Sequence, residues 1–138
     1  MSIDKLKLDI EKEVTQILYV YEPINNGFIL NFMYNEEVVL QVVHQSFVEQ
    51  LNNKTNKFGF ALNITFDPEF EGDSERKKKF LETELSQKFV YYEWEGIPCY
   101  AIDLGKSIKY VVNTSAWVLQ LFGFTENISF EVIDEGEL

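Results

Sequence analysis

Residues 89–104 constrain the fold more than any other part of the sequence. Two runs rich in aromatic and β-branched side chains, residues 89–94 and 97–104, flank the dipeptide Glu95-Gly96. Such a dipeptide between two runs of this kind is typical of a β-hairpin, because tight hairpin turns need positive backbone φ angles. The sequence therefore predicts an antiparallel strand pair here.

An amphipathic helix is predicted directly after this hairpin. Apolar side chains recur with the helical period over residues 108–122, after Gly105-Lys106-Ser107, where Ser107 or the nearby Asp103 can cap the helix. Gly123 stands where a helix C-terminus favours a positive φ, and Phe124 is the apolar residue that commonly accompanies such an end. Strand and helix periods therefore follow one another within a short stretch of chain.

The rest of the chain is assigned by the same two periods. In chain order we predict a helix at 4–15, strands at 16–22 and 28–34 that form a hairpin, a strand at 60–66, a helix at 74–88, and a closing strand at 128–132 before an acidic tail at 134–138. Residues 36–51 fit a helical stripe, although residues 38–43 also fit a strand, and their length favours the helix. Together these elements predict one α+β domain spanning residues 1–138, with a mostly antiparallel sheet and about three to four helices.

Charge and cysteine content limit what the chain binds and where it acts. The formal net charge is −11, from 12 Lys and Arg against 23 Asp and Glu, and the basic run at 76–79 is too short to reverse it. Such a surface repels phosphate backbones, so direct nucleic-acid binding is not expected. A single cysteine excludes an internal disulfide, and the sequence shows neither a signal peptide nor an apolar run of membrane length. We therefore expect a cytoplasmic protein without a membrane partner.

The acidic segment at 67–73 is the best candidate metal site in the sequence. Asp67-Pro68-Glu69-Phe70-Glu71-Gly72-Asp73 places carboxylates at alternate positions with a glycine at the sixth, as in a calcium-binding EF-hand loop. The twelfth position, where such a loop has a bidentate Glu, is Lys78, and the element before the loop is a predicted strand. One hypothesis makes Asp67, Glu69, Glu71 and Asp73 metal ligands. The alternative is a solvated loop whose acids favour the start of the next helix.

The rest of the sequence lacks the complete residue sets that phosphate-binding, metal-binding and nucleophilic sites require. Gly105-Lys106-Ser107 is similar to the end of a phosphate-binding loop, but Tyr100 occupies the position where that loop needs its first glycine. His44 is the only histidine, so a multi-histidine metal site cannot be assembled. Cys99 is the only cysteine, and only His44 could activate it. We predict a semi-buried His44 whose polar atoms are satisfied, a buried Cys99, no enzyme activity and no cofactor.

The aromatic hairpin carries the candidate binding surface. Apolar or aromatic side chains occupy both faces of residues 89–104, although only one face is needed to cover a core. Tyr91, Tyr92, Trp94 and Tyr100 are of the types enriched where protein partners dock, so we predict them as protein-binding residues. The alternative is a sheet that is covered on both sides.

Three further stretches carry a family resemblance. They are the hairpin segment Gly27-Phe28-Ile29-Leu30-Asn31-Phe32, residues 51–60 with Phe58-Gly59-Phe60, and Ala116-Trp117-Val118-Leu119-Gln120-Leu121-Phe122-Gly123-Phe124 followed by Ile128-Ser129-Phe130-Glu131-Val132. In these stretches the chain resembles the type III secretion chaperone-like domains, including the TY-Chap group of bacterial proteins. The resemblance spans most of the chain and rests on pattern. It implies a small α+β protein, commonly dimeric, that holds a partner polypeptide along a sheet face or an exposed strand.

The sequence favours a non-enzymatic protein-binding domain of a bacterial cytoplasm. It would act as a chaperone, adaptor or immunity-type inhibitor, with another polypeptide or a second copy of the chain as its partner. Two alternatives stay open. The negative charge also suits an acidic decoy of nucleic acid that occupies the site of a nucleic-acid-binding protein. The turn at 67–73 suits a metal-binding protein.

Overall fold

The computed structural model describes residues 2–51 and 57–138. These residues form three α-helices and six β-strands, numbered in chain order. The helices are α1 (Ser2–Tyr21), α2 (Asp73–Leu81) and α3 (Ile108–Phe122), and the strands are β1 (Gly27–Tyr34), β2 (Glu37–His44), β3 (Phe60–Thr65), β4 (Val90–Trp94), β5 (Ile97–Gly105) and β6 (Ser129–Gly136). Short 3-10 turns follow β2, at Gln45–Phe47 and Glu49–Leu51, and precede β4, at Leu85–Lys88.

The six strands form one antiparallel sheet in the order β4-β5-β3-β2-β1-β6. Helices α1 and α3 pack against each other, and together with Phe80 of α2 they cover one face of the sheet through the main apolar core. Alternate strand residues such as Phe28, Phe32 and Phe60 contribute to that core and are fully buried. This arrangement confirms the predicted α+β class with an antiparallel sheet.

Helix α1 continues through most of residues 16–22, where the sequence predicts a strand. The predicted strand and its hairpin with residues 28–34 are therefore wrong. Four buried apolar residues have helical spacing and form one stripe: Leu6, Ile10, Val14 and Ile17. Burial of this stripe in the main core outweighs the strand propensity of the β-branched and aromatic residues that end the helix, since strand propensity depends strongly on context.

Residues 36–51 form strand β2 and two short turns, so the predicted helix is wrong and the strand alternative at 38–43 is confirmed. Strands β1 and β2 are joined through Asn35 and Glu36, whose φ angles are 50° and 67°. A two-residue type I′ hairpin turn needs positive φ at both central positions. Val42 and Val43 are both buried although they face opposite sides of the sheet. The alternation of apolar and polar residues that marks a half-buried strand is therefore absent from this part of the sequence.

The C-terminal part of the chain follows its prediction. Strands β4 and β5 form a hairpin around Glu95 and Gly96, whose φ angles are 52° and 82°. Ser107 caps α3 by accepting a hydrogen bond of 3.1 Å from the backbone N–H of Tyr110, and Gly123 ends the helix with a φ of 80°. Strand β6 continues to Gly136, so most of the predicted acidic tail is part of an edge strand.

Two other elements differ from their predictions in length. The strand predicted at 60–66 is confirmed as β3, which ends at Thr65. The helix predicted at 74–88 ends at Leu81, where the hydroxyl of Thr83 donates a hydrogen bond of 2.7 Å to the carbonyl of Phe80. Such a side-chain bond to the backbone competes with continuation of the helix. Among the described residues, no helix has both the length and the apolarity needed to cross a membrane.

Candidate binding groove on the helix-free face of the sheet

The sheet has one face that the α-helices do not cover. The main core contains residues from all three helices, whereas a second buried cluster consists of Val43, Val48, Ala61 and Ala101. Val43, Ala61 and Ala101 are strand residues whose immediate neighbours in sequence belong to the main core, so they lie on the opposite side of the sheet. Val48 comes from the segment at 45–51 and packs over them. We call this side the helix-free face.

A continuous row of hydrogen-bonded polar side chains crosses the helix-free face. Tyr92 on β4 donates from its hydroxyl to Asn63 Oδ1 on β3 (2.5 Å), and Asn63 Nδ2 donates to Gln41 Oε1 on β2 (3.2 Å). Gln41 Nε2 donates to Asn31 Oδ1 on β1 (2.9 Å), and Asn31 Nδ2 donates to the carboxylate of Glu131 on β6 (3.1 Å). We call these five residues the polar row. It connects both edges of the sheet.

The polar row follows the register of the central strands. Asn31 is the cross-strand partner of both Gln41 and Glu131, and Gln41 is the partner of Asn63. Asn31 and Asn63 are buried, and each hydrogen bond in such a setting stabilises the fold by about 0.5–1.5 kcal/mol. A primary amide has two N–H donors and two oxygen lone pairs, and half-buried Gln41 uses one of each within the described residues, which leaves one of each for a ligand.

Two cavities meet on this face at Gln41, Thr65 and Trp94, and one of them continues beyond the face to residues of α2 and α3 such as Arg76 and Phe122. The first, of about 560 Å³, is lined by Val43 and Val48 of the second cluster, and we call it the inner cavity. The second, of about 710 Å³, extends to the acidic turn at 67–73, and we call it the acidic cavity. Because three residues line both, the cavities are adjacent, and we call the two together the joined groove.

The four predicted aromatic residues lie on two faces of the sheet. Tyr92 and Trp94 line the joined groove, and the side chain of Trp94 is 60% exposed. Tyr91 and Tyr100 lie on the helix-covered side with ring centroids 5.2 Å apart, and Tyr100 packs against the main core. A hydrogen bond to the carboxylate of Glu93 raises the pKa of Tyr91 to about 12, and burial raises the pKa of Tyr100. Only Tyr92 and Trp94 therefore belong to the groove.

The acidic turn borders the groove but does not gather its carboxylates around a common point. Asp73 is bonded to Arg76 Nε at 3.0 Å and accepts a hydrogen bond of 2.9 Å from the backbone N–H of Asp67. The carboxylate of Asp67 in turn accepts from the backbone N–H of Glu69 at 2.9 Å. Within the part of the chain that the structure describes, no group of three or more His, Cys, Asp or Glu side chains could hold a metal ion. Asp67, Glu69, Glu71 and Asp73 all line the acidic cavity.

His44 and Cys99 lie toward opposite ends of β3 and do not form a pair. His44 is the cross-strand partner of Phe60 at the start of β3, whereas Cys99 is the partner of Thr65 at its end. The imidazole of His44 is fully buried, which lowers its pKa, and its Nδ1 accepts a hydrogen bond of 3.1 Å from the backbone N–H of Ser46. Cys99 is also buried. The burial of Cys99 confirms its prediction, whereas His44 is hydrogen-bonded as predicted but is fully buried and not semi-buried.

The amides of the polar row are the site residues that sequence reasoning misses. Asn31, Gln41 and Asn63 each stand alone among apolar residues of a strand. A lone amide in an apolar strand is a detectable signal. The three amides can be recognised as a row only when the strand order and register are known, because those decide which amides are neighbours.

Comparison with known proteins does not assign the chain to a family. The chain matches no protein-family model, no curated protein and no solved structure. The joined groove, with Trp94 where its two cavities meet and Gln41, Asn63 and Tyr92 of the polar row among its lining residues, is the candidate binding site.

Proposed function

We propose that this protein is a non-enzymatic protein-binding domain, a chaperone or adaptor that holds an extended segment of a partner polypeptide in the joined groove. The observation that carries the proposal is the meeting of two cavities at Gln41, Thr65 and Trp94 on the helix-free face. The resemblance of the sequence to type III secretion chaperone-like domains agrees with this function.

The shape of the groove suits a segment of chain better than a compact small molecule. Sites for small molecules typically bury about 70–90% or more of the ligand surface within one concavity. Here two cavities of about 560 and 710 Å³ follow one another along a sheet, and the exposed ring of Trp94 lies between them. A ligand on such a surface is contacted along its length, as an extended polypeptide would be.

The chemistry of the groove also suits a polypeptide. Val43 and Val48 offer apolar contacts in the inner cavity, and Val38, which is 45% exposed, offers one in the acidic cavity. Extended backbone presents alternating N–H and C=O groups, which the free donor and acceptor of Gln41 can bind. Tryptophan is among the residues that most often dominate the energy of protein interfaces, and Trp94 is placed to do so.

Photo-crosslinking at defined positions tests the proposal in the cell of origin. A photoreactive phenylalanine analogue is placed at Val38 or Trp94 in the groove, and at Leu8 or Tyr19 on α1 as a control. These four side chains are all well exposed, so the comparison is between locations and not between buried and exposed positions. We expect covalent adducts with a discrete polypeptide from the two groove positions and none from the two helix positions.

The size of each adduct identifies the kind of occupant. An adduct with twice the mass of the chain indicates a second copy in the groove, and any other discrete mass indicates a different polypeptide. Equal adducts from the groove and helix positions, or none from either, would contradict the proposal.

A further inference from the structure

The sheet divides into two halves at the acidic cavity. Strand β2 pairs with β3 over four residue pairs that end at Gln41 and Asn63. Beyond that point, Leu40 pairs with β1 while Ile64 and Thr65 pair with β5. Side chains of both strands beyond the last pair line the acidic cavity. The cavity is therefore a cleft between two diverging halves of one sheet.

The walls of this cleft are apolar and its rim is acidic. Val38, Ile64 and Trp94 are among the apolar residues that line it. Arg76 is the one basic residue among the lining side chains. Five carboxylates also line the cleft: Glu37, Asp67, Glu69, Glu71 and Asp73. Within residues 2–51 and 57–138, Asp73 is the only one of these acids that forms a salt bridge, and its partner is Arg76. The other four carboxylates leave the cleft strongly negative.

The protein's own Arg76 shows that this cavity accommodates a guanidinium group. The Cζ atom of Arg76 lies 5.3 Å from the centre of the Phe124 ring, in a cation–π arrangement. The same group is bonded to the carboxylate of Asp73 and donates a hydrogen bond of 3.0 Å to the carbonyl of Glu71. An aromatic face, a carboxylate and a carbonyl therefore already hold one cation at the edge of the cleft.

We propose that the acidic cavity is a subsite for a lysine or arginine side chain of the bound polypeptide, so that the partner is a basic segment. This inference rests on the proposed function. The aliphatic part of the basic side chain packs between Val38 and Trp94, which both line the cavity and are exposed, as long cationic side chains do on apolar surface. Its charged end lies at the rim with Glu37 and Glu69. Charge complementarity then sets which segments enter the groove.

Selection from a random peptide library tests the inference. Phage-displayed linear peptides are selected on the full chain and, separately, on the Trp94→Ser/Val38→Ser variant. The selected peptides are synthesised, and their affinities are measured by calorimetry. We expect peptides selected on the wild-type chain to be enriched in Lys and Arg and to lose affinity when one basic residue is replaced by norleucine.

A pair of charge variants separates a local subsite from attraction to the net charge. Glu37→Gln/Glu69→Gln removes two carboxylates of the cleft, and Glu11→Gln/Glu13→Gln removes two carboxylates of α1 that do not line it. We expect the first pair to weaken binding of the basic peptides by about threefold to tenfold at low salt, as rim charges do, and the second to leave it nearly unchanged. The difference between the two variants should shrink between about 0.05 M and about 0.5 M salt.

The outcomes distinguish this inference from the proposed function. Selected peptides without enrichment in basic residues, or equal losses in the two charge variants, would overturn the subsite while leaving polypeptide binding intact. Peptides that bind the Trp94→Ser/Val38→Ser variant as tightly as the wild-type chain would overturn the proposed function and the subsite together, as would a library that yields no binder.

Discussion

The hydroxyl of Tyr92 on β4 donates a hydrogen bond of 2.5 Å to the side-chain oxygen of Asn63 on β3, although strand β5 lies between them. The contact is geometrically allowed because Asn63 pairs with Ala101 of β5, whose small side chain leaves room for the tyrosine ring to cross. Burial, with a contribution from the thiol of Cys99, raises the pKa of Tyr92 above its ordinary value of 10.0, so the phenol stays a donor. This bond anchors one end of the polar row.

Removing that hydroxyl should destabilise the protein. In Tyr92→Phe, the oxygen of Asn63 loses its donor in a buried position, which we expect to lower the free energy of unfolding by about 1–2 kcal/mol. Tyr91→Phe is the matched control, because the hydroxyl of Tyr91 donates to Glu93 at the exposed surface and its loss should change little. Urea unfolding of both variants measures the difference, and equal losses would contradict the anchoring role of Tyr92.

Replacement by alanine should lower the stability of the protein at one of two buried serines and not at the other. The hydroxyl of Ser115 on α3 has no hydrogen-bond partner in the described part of the chain, so Ser115→Ala should leave stability unchanged or raise it by up to about 1 kcal/mol. The hydroxyl of Ser86 donates to the carbonyl of Thr83 at 2.7 Å, so Ser86→Ala should cost about 1 kcal/mol. Thermal unfolding of the two variants provides the test. A loss in Ser115→Ala as large as that in Ser86→Ala would show that the Ser115 hydroxyl is bonded.

The stability of the fold should decrease as the pH falls below the ordinary pKa of histidine. His44 is fully buried among the rings of Phe28, Phe47 and Phe58, and its Nδ1 accepts the hydrogen bond from Ser46, so the folded state holds the neutral imidazole. Burial lowers its pKa below 6.5, whereas the unfolded chain takes up the proton near that value. The contribution is therefore complete above pH 6.5 and is lost progressively below it, until the folded pKa is reached.

His44→Gln is the variant that isolates this contribution from that of the carboxylates. The free energy of unfolding is measured by urea titration at about pH 7.5 and about pH 5.5, on either side of the ordinary histidine value. The wild-type chain should lose more stability between the two than the variant does. Identical losses in the two proteins would show that His44 does not titrate in this way.

Local turn and capping signals made the C-terminal part of the fold predictable from the sequence. Glu95-Gly96 takes the two positive φ angles of a tight hairpin, and Ser107 and Gly123 delimit α3 as capping rules require. Gly96, Ser107 and Gly123 are residue types that favour the backbone conformation observed at their positions. Such signals depend on few distant contacts, so they can be recognised without knowing the rest of the fold.

The N-terminal half of the fold is harder to predict, because burial in the core overrides local strand propensity there and because its first turn carries a weak sequence signal. Ile17 has a strand-forming side chain but completes a buried helical stripe in the main core. The turn at Asn35 and Glu36 contains no glycine, and a glutamate at positive φ is uncommon, so the sequence carries a weak signal for the first hairpin. The missing turn signal is what made residues 36–51 resemble one helix.

The candidate site was only partly predictable for a similar reason. Strand alternation places Tyr91 and Trp94 on opposite faces, but the sequence does not tell which face the helices cover. The structure assigns Tyr91 to the covered side and Trp94 to the helix-free face. The acidic turn was visible as a charge cluster, whereas its place at the end of a cleft follows from where β2 and β3 separate.

The central claim is that a polypeptide binds in the joined groove at Trp94, and the fluorescence of that residue tests it most directly. In Trp117→Phe, Trp94 is the only tryptophan left, and its side chain is 60% exposed in the unbound protein. Titration with a peptide selected on the wild-type chain should shift the Trp94 emission to shorter wavelength and saturate at the concentration that calorimetry gives for binding. Saturable binding by calorimetry with an unchanged Trp94 emission would place the peptide elsewhere and contradict the account.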